Sequence, residues 1–493
     1  MDKIYELSQR AEEYNTKVMS LYYNDFSDPA AENKRAAVMK NYPELYSSDT
    51  VFFLKDLRDK VINDEKRITE YLLHFVVRNL LDFNVSSQYG KLIESQNTKV
   101  MEIEDKSIPF RQLPILISTT PDRMLREKYD HAFSDLLKQY EDDYVFIVEK
   151  QFKMAKELGY KNYIDMVIDI KKIDVTEVKE NAERFLKETE ESYSTLLEYF
   201  AAKYLQMRSK DMTQADMNYL LQGQRFSKLF TIGRLMDTVK KTLLSMGIDM
   251  DSQKNITLDV EDRKMKFSRA FVTPIRIPSD IRLVLQAKGG FENYKTTLHE
   301  SGHLEHFANA DGKMNFALRA LGDRAVSEMY AFLIQYFTIS IEWCEEMMGF
   351  SDLNFLNFAL FDKMYSLRRC CARVLYEIKL YSADKVEKID EVYSNIFSNA
   401  VKVKYNSNRY LYDLDMNFHS MENLRAWFGE TQLRSFFLTY FGRYWFENYH
   451  AGKMLKRLWH YGTKYKVDEI LRMLGIDNIR IEPTIRDLSR IVI

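Results

Sequence analysis

The sequence predicts a mainly α-helical protein with one small sheet, on three observations. Glycine and proline are scarce, 16 and 8 in 493 residues, which favours long helices over a turn-rich β architecture. Apolar residues recur at three- and four-residue spacing, above all in the proline-free stretch between Pro121 and Pro274. The clearest break in that texture is residues 255–290, where two strand-like runs sit among Pro274, Pro278 and Gly289-Gly290.

Taken in order, the N-terminal MDKIYELSQRAEEYN is amphipathic and acidic and lacks the apolar core of a signal peptide. RITEYLLHFVVRNLLDF reads as a mostly buried helix. A helix is expected from Thr120-Pro121-Asp122, with Thr120 capping the free amides and Pro121 in the first turn. Another starts at Asp174, with Glu177 completing a capping box, and runs on through VKENAERFLKETEESYSTLLEYFAAKYLQ. NITLDV and IRLVLQA are the expected strands, and from Tyr294 the helical pattern resumes nearly to the end. No internal repeat or low-complexity linker is present. A chain of this length exceeds one compact core. Its even composition points to two interwoven lobes of one fold, residues 1–190 and 191–493.

Charge is balanced, 71 Lys plus Arg against 73 Asp plus Glu, a formal net charge of −2. That disfavours the broad basic surface of a nucleic-acid binder; the interspersed charges read as solvated helix faces. Cys344, Cys370 and Cys371 are too few and too irregular for a disulfide framework, which points to a reducing, cytoplasmic setting. No run of 18 or more apolar residues is present, so no membrane span is expected.

The chemistry concentrates in TTLHESGHLEHFANADG. His299 and His303 lie four apart, so on a helix both imidazoles face one ion. Glu300 projects beside them, placed to take a proton from water rather than to ligate. Zinc suits such a site, accepting imidazole and carboxylate and leaving a position open. A third ligand is found downstream. Glu328 is the one acidic residue in the apolar stretch AVSEMYAFLIQYF, where an unpaired carboxylate is costly. The alternative is a surface Glu328 or one paired with Arg324. Two His and one Glu make an open, catalytic type of site rather than a closed structural one.

His299-Glu300-Ser301-Gly302-His303-Leu304-Glu305-His306 resembles the H-E-x-G-H-x-x-H form of the thimet oligopeptidase and oligoendopeptidase F family. The offset of 25 from His303 to Glu328 matches that family's third ligand. DIRLVLQAKGGFENYKTTLHESGH is similar to its substrate-binding edge strand leading into the metal helix. Angiotensin-converting enzyme and thermostable carboxypeptidases are more distantly similar. The resemblance covers about residues 265–335. It implies a two-lobed helical metallopeptidase with a deep cleft, one zinc ion per chain and short peptides as substrates, with the catalytic lobe over 191–493. No nucleic-acid or membrane partner is implied, and the sequence does not fix the oligomeric state.

The sequence departs from the family in two places. Met329-Tyr330-Ala331 follow Glu328 where the family often shows Pro-Ser. The late Tyr/His cluster that hydrogen-bonds the oxyanion is replaced by Phe418-His419 and Asn423. The candidates for that role are His419, Tyr410 and Tyr412, with Tyr440, Tyr444 and Tyr449 as a fallback; each residue type can donate to a developing negative oxygen. His306 is expected behind the ligands or on the surface, and His74 and His131 in structural roles. The strand around Arg282–Ala287 is expected to pair with substrate backbone, and Gly289 and Gly290 to allow close approach there. A carboxypeptidase or dipeptidase on the same scaffold would bind the substrate carboxylate through Arg425 or Lys288. A non-catalytic, zinc-stabilised peptide-binding protein is the other alternative; Glu300 argues against it, because a structural metal needs no general base.

Overall fold

A computed structural model describes residues 2–27, 35–261, 270–415 and 417–489. Part of the expected sheet region, 262–269, lies outside them. The helices used below are α1 (Asp2–Ser27), α2 (Asn63–Thr98), α3 (Arg123–Gln139), α4 (Val175–Glu188), α5 (Glu190–Leu205), α6 (Phe291–Ala308), α7 (Arg324–Gln335), α8 (Leu353–Tyr381) and α9 (His419–Phe441). The protein is mainly α, and no helix among the described residues is long and apolar enough to cross a membrane.

The chain divides into two compact units, each assembled from separate stretches of sequence. The first comprises Met1–Val77, Gln224–Ala359 and Arg425–Asp487; the second comprises Arg78–Gly223, Leu360–Leu424 and Leu488–Ile493. The division falls within α2, α8 and α9.

In the first unit, three short strands form a sheet in the order β3-β5-β4: β3 (Ile256–Asp259), β4 (Phe271–Arg276) and β5 (Asp280–Val284). β3 runs parallel to β5 and β4 antiparallel to it. Burial alternates with the pleat, Ile281 and Leu283 in β5 and Thr273 and Ile275 in β4 facing the core. The sequence reading missed β4, whose Pro274 breaks the strand pattern. Proline is tolerated on an edge strand, and β4 is one. β5, expected to pair with substrate, is instead the central strand: its backbone is already bonded on both sides. α1 and α6 both pack on this sheet. Glu12 on α1 reaches Arg276 at 3.3 Å, and the Tyr23 hydroxyl donates to Asp259 at 3.1 Å.

In the second unit, a hairpin of β1 (Val100–Ile103) and β2 (Lys106–Pro109) closes through Glu104 and Asp105, both at positive φ. It packs into an apolar cluster that includes Leu92, Ile108, Phe110, Phe133 and Leu136. Two expected helix starts resolve differently from the sequence reading. Asp122, not Thr120, caps α3, accepting from the Leu125 amide at 3.0 Å, while Thr120 ends the preceding helix. Asp174 caps α4 as expected, accepting from the amides of Thr176 and Glu177. The long helix expected after it is two, α4 and α5, broken at Thr189. The Thr189 hydroxyl bonds back to the Phe185 carbonyl and also accepts from the buried Arg368.

Candidate metal centre

The first unit carries the HESGH segment on α6. It starts at Gly290, whose φ of 101° a side chain would resist. α6 crosses α7 at the glycine of the motif. A Cβ on Gly302 would lie 2.6 Å from the Ala331 Cα and 2.9 Å from the Tyr330 carbonyl oxygen. Only glycine lets the two backbones approach this closely. Glu328 lies one turn before Ala331 on the same face of α7 and is thereby brought beside the histidines.

One ligand atom from each of His299, His303 and Glu328 lies within 4.8 Å of the others. Glu328 Oε2 is 3.5 Å from His299 Nε2 and 3.7 Å from His303 Nε2. The outer nitrogen of His303 meets the Ser327 hydroxyl at 2.7 Å, which fixes the ring. His299 Nδ1 is buried without a hydrogen bond. Its ring packs 5.1 Å from Phe332, which stacks on Trp427 at 3.7 Å. Burial pushes His303 down to about 3, so it is neutral at pH 7. Burial also opposes charge on His299, but the Glu328 carboxylate outweighs it and raises that ring. Glu328 is buried too, yet His303, His299 and Arg324 hold it well below the usual carboxylate range. An ionised carboxylate and a neutral imidazole thus stand together. A divalent metal fits that position: the donor set is the two-His, one-Glu set of open zinc sites.

Glu300, next to His299 on α6, accepts a hydrogen bond through Oε2 from the Val272 amide at 3.0 Å. Since Val272 N–H points at Glu300, this residue faces away from β5, and Glu300 stands against the outer edge of β4.

No protein-family model matches the sequence, and no curated protein matches it. Solved structures do. PZ peptidase A, determined with an inhibitor, aligns over 99% of this chain and 92% of its own, with TM-score 0.70 and 13% identity. A protein from Bacillus anthracis str. Ames assigned as an oligoendopeptidase F covers 98% and 89%, with TM-score 0.68 and 14% identity. A protein from Chlamydophila abortus assigned as a peptidase covers 99% and 90%, with TM-score 0.64 and 14% identity. The chain has the oligoendopeptidase F fold.

Within the oligoendopeptidase F fold, the remaining expected site residues are placed as follows. Arg425 is buried, donating to Asp323 at 3.0 Å and to Asp468 at 3.4 Å. Asp323 caps α7, so Arg425 anchors the helix that carries Glu328 and its guanidinium is committed to protein carboxylates. Gly289 and Gly290 make their close approach to the protein's own chain. A Cβ on Gly289 would sit 3.0 Å from the Phe230 carbonyl oxygen, which accepts from the Gly290 amide at 2.7 Å. His306 is fully buried, with Nε2 3.0 Å from the Gly462 carbonyl oxygen. Burial lowers it to about 4. Tyr440, Tyr444 and Tyr449 are exposed.

The oxyanion candidates belong to the second unit. His419 Nδ1 meets Glu422 Oε2 at 2.7 Å, and Lys171 Nζ reaches the same oxygen at 2.6 Å. The sequence reading missed Lys171 and Glu422: 251 residues separate them, and nothing in the sequence pairs them. Tyr410 donates to Glu141 at 2.9 Å; Tyr412 is exposed, its ring set edge-on to Phe133. α8 holds the segment that carries these residues. The Tyr376 hydroxyl donates to the Tyr410 carbonyl, Tyr381 to the Asp415 carbonyl, and Glu377 accepts from the Asp415 amide.

Proposed function

We propose that this chain is a zinc-dependent oligoendopeptidase that hydrolyses peptide bonds in short peptides in the cytoplasm. His299, His303 and Glu328 would hold the ion, and Glu300 would be the general base. The observation that carries the reading is the convergence of the three ligand atoms within 4.8 Å, two of them from the helix that also presents Glu300. Bound zinc would supply Lewis acidity, lowering the pKa of water and polarising the scissile carbonyl.

The protein's own residues account for the remaining steps. Glu300 accepts the proton of the attacking water on a carboxylate oxygen and returns it to the leaving amine. Ser327 keeps His303 in the orientation that offers Nε2. An extended peptide adds to β4 rather than to β5, because Val272 on the outer edge of β4 stands beside Glu300. His419 is the first candidate to donate to the oxyanion, followed by Tyr412, because the Tyr410 hydroxyl already donates to Glu141. Arg425 is committed to Asp323 and Asp468, which leaves Lys288 as the cation that a carboxypeptidase on this scaffold would use.

The test is a quenched-fluorescent peptide mixture with and without chelator and added zinc, run beside Glu300→Gln, with metal content measured. Chelator-sensitive cleavage that zinc restores, with Glu300→Gln holding zinc but inactive, supports the proposal. Blocked and free C-termini then separate endo- from exopeptidase cutting. A wild-type protein that holds one zinc and cleaves nothing would sink the peptidase reading, and one that holds no zinc would sink the metal site itself.

A further inference from the structure

We infer that Arg324 makes Glu328 a one-oxygen ligand, and so keeps coordination positions open for water and substrate. The inference rests on the zinc site proposed above. The two oxygens of Glu328 have different partners. Oε2 faces His299 Nε2 and His303 Nε2 at 3.5 and 3.7 Å, whereas Oε1 accepts from Arg324 Nη2 at 3.0 Å. The Glu328 side chain is buried, that of Arg324 nearly half exposed. The guanidinium therefore reaches inward from the surface to take the oxygen that would otherwise turn towards the cation.

Helix stability does not explain the pair. Arg324 is the first residue of α7, where a positive charge meets the positive end of the helix dipole. At a spacing of four, the basic residue preceding the acidic one is also the weaker order. An arginine in this place works against the helix but holds the carboxylate in one orientation. Orientation matters because a carboxylate can bind a metal through one oxygen or two. Two oxygens from Glu328 would fill a position that an open catalytic site leaves for water. Arg324 is therefore a positioning residue, acting on the reaction through Glu328.

The sign of the effect on affinity separates this role from a merely structural one. In Arg324→Met, Oε1 loses its donor and the nearby positive charge is gone, so Glu328 binds through both oxygens. Zinc should then be held more tightly, roughly tenfold in a competition titration against a chromophoric chelator, while kcat falls and KM changes little. In the cobalt-substituted protein, the visible absorption of the variant should weaken, since four-coordinate cobalt absorbs more strongly than five- or six-coordinate cobalt. Arg324→Lys, which keeps a charge and a donor, should return both readings towards wild type. If Arg324→Met binds zinc as wild type does or more weakly, and the cobalt spectra superimpose, Arg324 is only a surface partner and the inference is overturned. A wild-type protein that takes up no zinc overturns the metal proposal and this inference together, which distinguishes the two failures.

Discussion

Two places in this molecule set histidine against a buried glutamate, and they differ in where the chain's own positive charge sits. In the first unit, Glu328 Oε2 faces two imidazoles, His303 held neutral by burial, and the chain's own cation, Arg324, is on the other oxygen at 3.0 Å. In the second, Glu422 Oε2 is met at once by His419 Nδ1 and by the Lys171 ammonium, both buried with it. The first arrangement leaves a place for a cation. In the second, the chain's own ammonium sits on the same oxygen that the histidine meets. Histidine beside glutamate is thus not a metal site in itself; the position of the nearest cation decides. A third glutamate completes the series. Glu305, buried on α6, takes hydrogen bonds from the amides of Gln253 and Asn309 at 3.0 Å, and burial raises it to about 7.

The sharpest way to break the comparison is His303→Ala. Zinc affinity should fall by more than the roughly 100-fold that loss of an outer hydrogen-bond partner costs. The stabilisation of about 2.7 kcal/mol that ligand at a hundredfold its dissociation constant provides should vanish from thermal melts with added zinc. Retention of that zinc-induced shift would remove His303 from the site.

Next is Lys171→Met, which leaves the Glu422 carboxylate buried without its cation. Breaking such a pair costs about 3–5 kcal/mol, to be read from urea unfolding, while zinc stoichiometry stays at wild type. Adding Glu422→Gln to Lys171→Met should recover much of the loss. A double variant no more stable than the single one would show that Lys171 does not serve Glu422.

Gly302→Ala should cost about 1–3 kcal/mol through the clash at the helix crossing and weaken zinc binding, because Glu328 moves with α7. Destabilisation with unchanged zinc affinity would separate the crossing from the ligand geometry.

The smallest effect expected is from Glu305→Gln, and it depends on pH. The folded-state pKa of Glu305, about 7, lies above its ordinary 4.5, so the folded protein holds this proton more tightly than the unfolded chain does. Stability from this group is fully present below pH 4.5 and is lost as pH rises through about 7. Glutamine does not ionise, so the variant should gain on wild type at pH 8.5 and not at pH 4.5. A gap in melting temperature that is the same at both pH values would refute the buried-charge account.

The sequence by itself determined the mainly helical class. It also placed His299, Glu300 and His303 on one helix, and marked Glu328 as the carboxylate among apolar neighbours. These rest on local rules: scarce glycine and proline, helical periodicity, and the i, i+4 spacing that puts two side chains on one face. Only the tertiary structure decided which strand is the edge, since strand pairing is non-local and Pro274 hides β4 from any pattern. It also decided the use of single residues. Arg425 meets Asp323 and Asp468, Gly289 and Gly290 lie against Phe230, and His419 is joined to Lys171 through Glu422. A charged side chain takes its role from the partner it finds in space, and the carboxylates that Arg425 and Lys171 find lie 43 to 251 residues away.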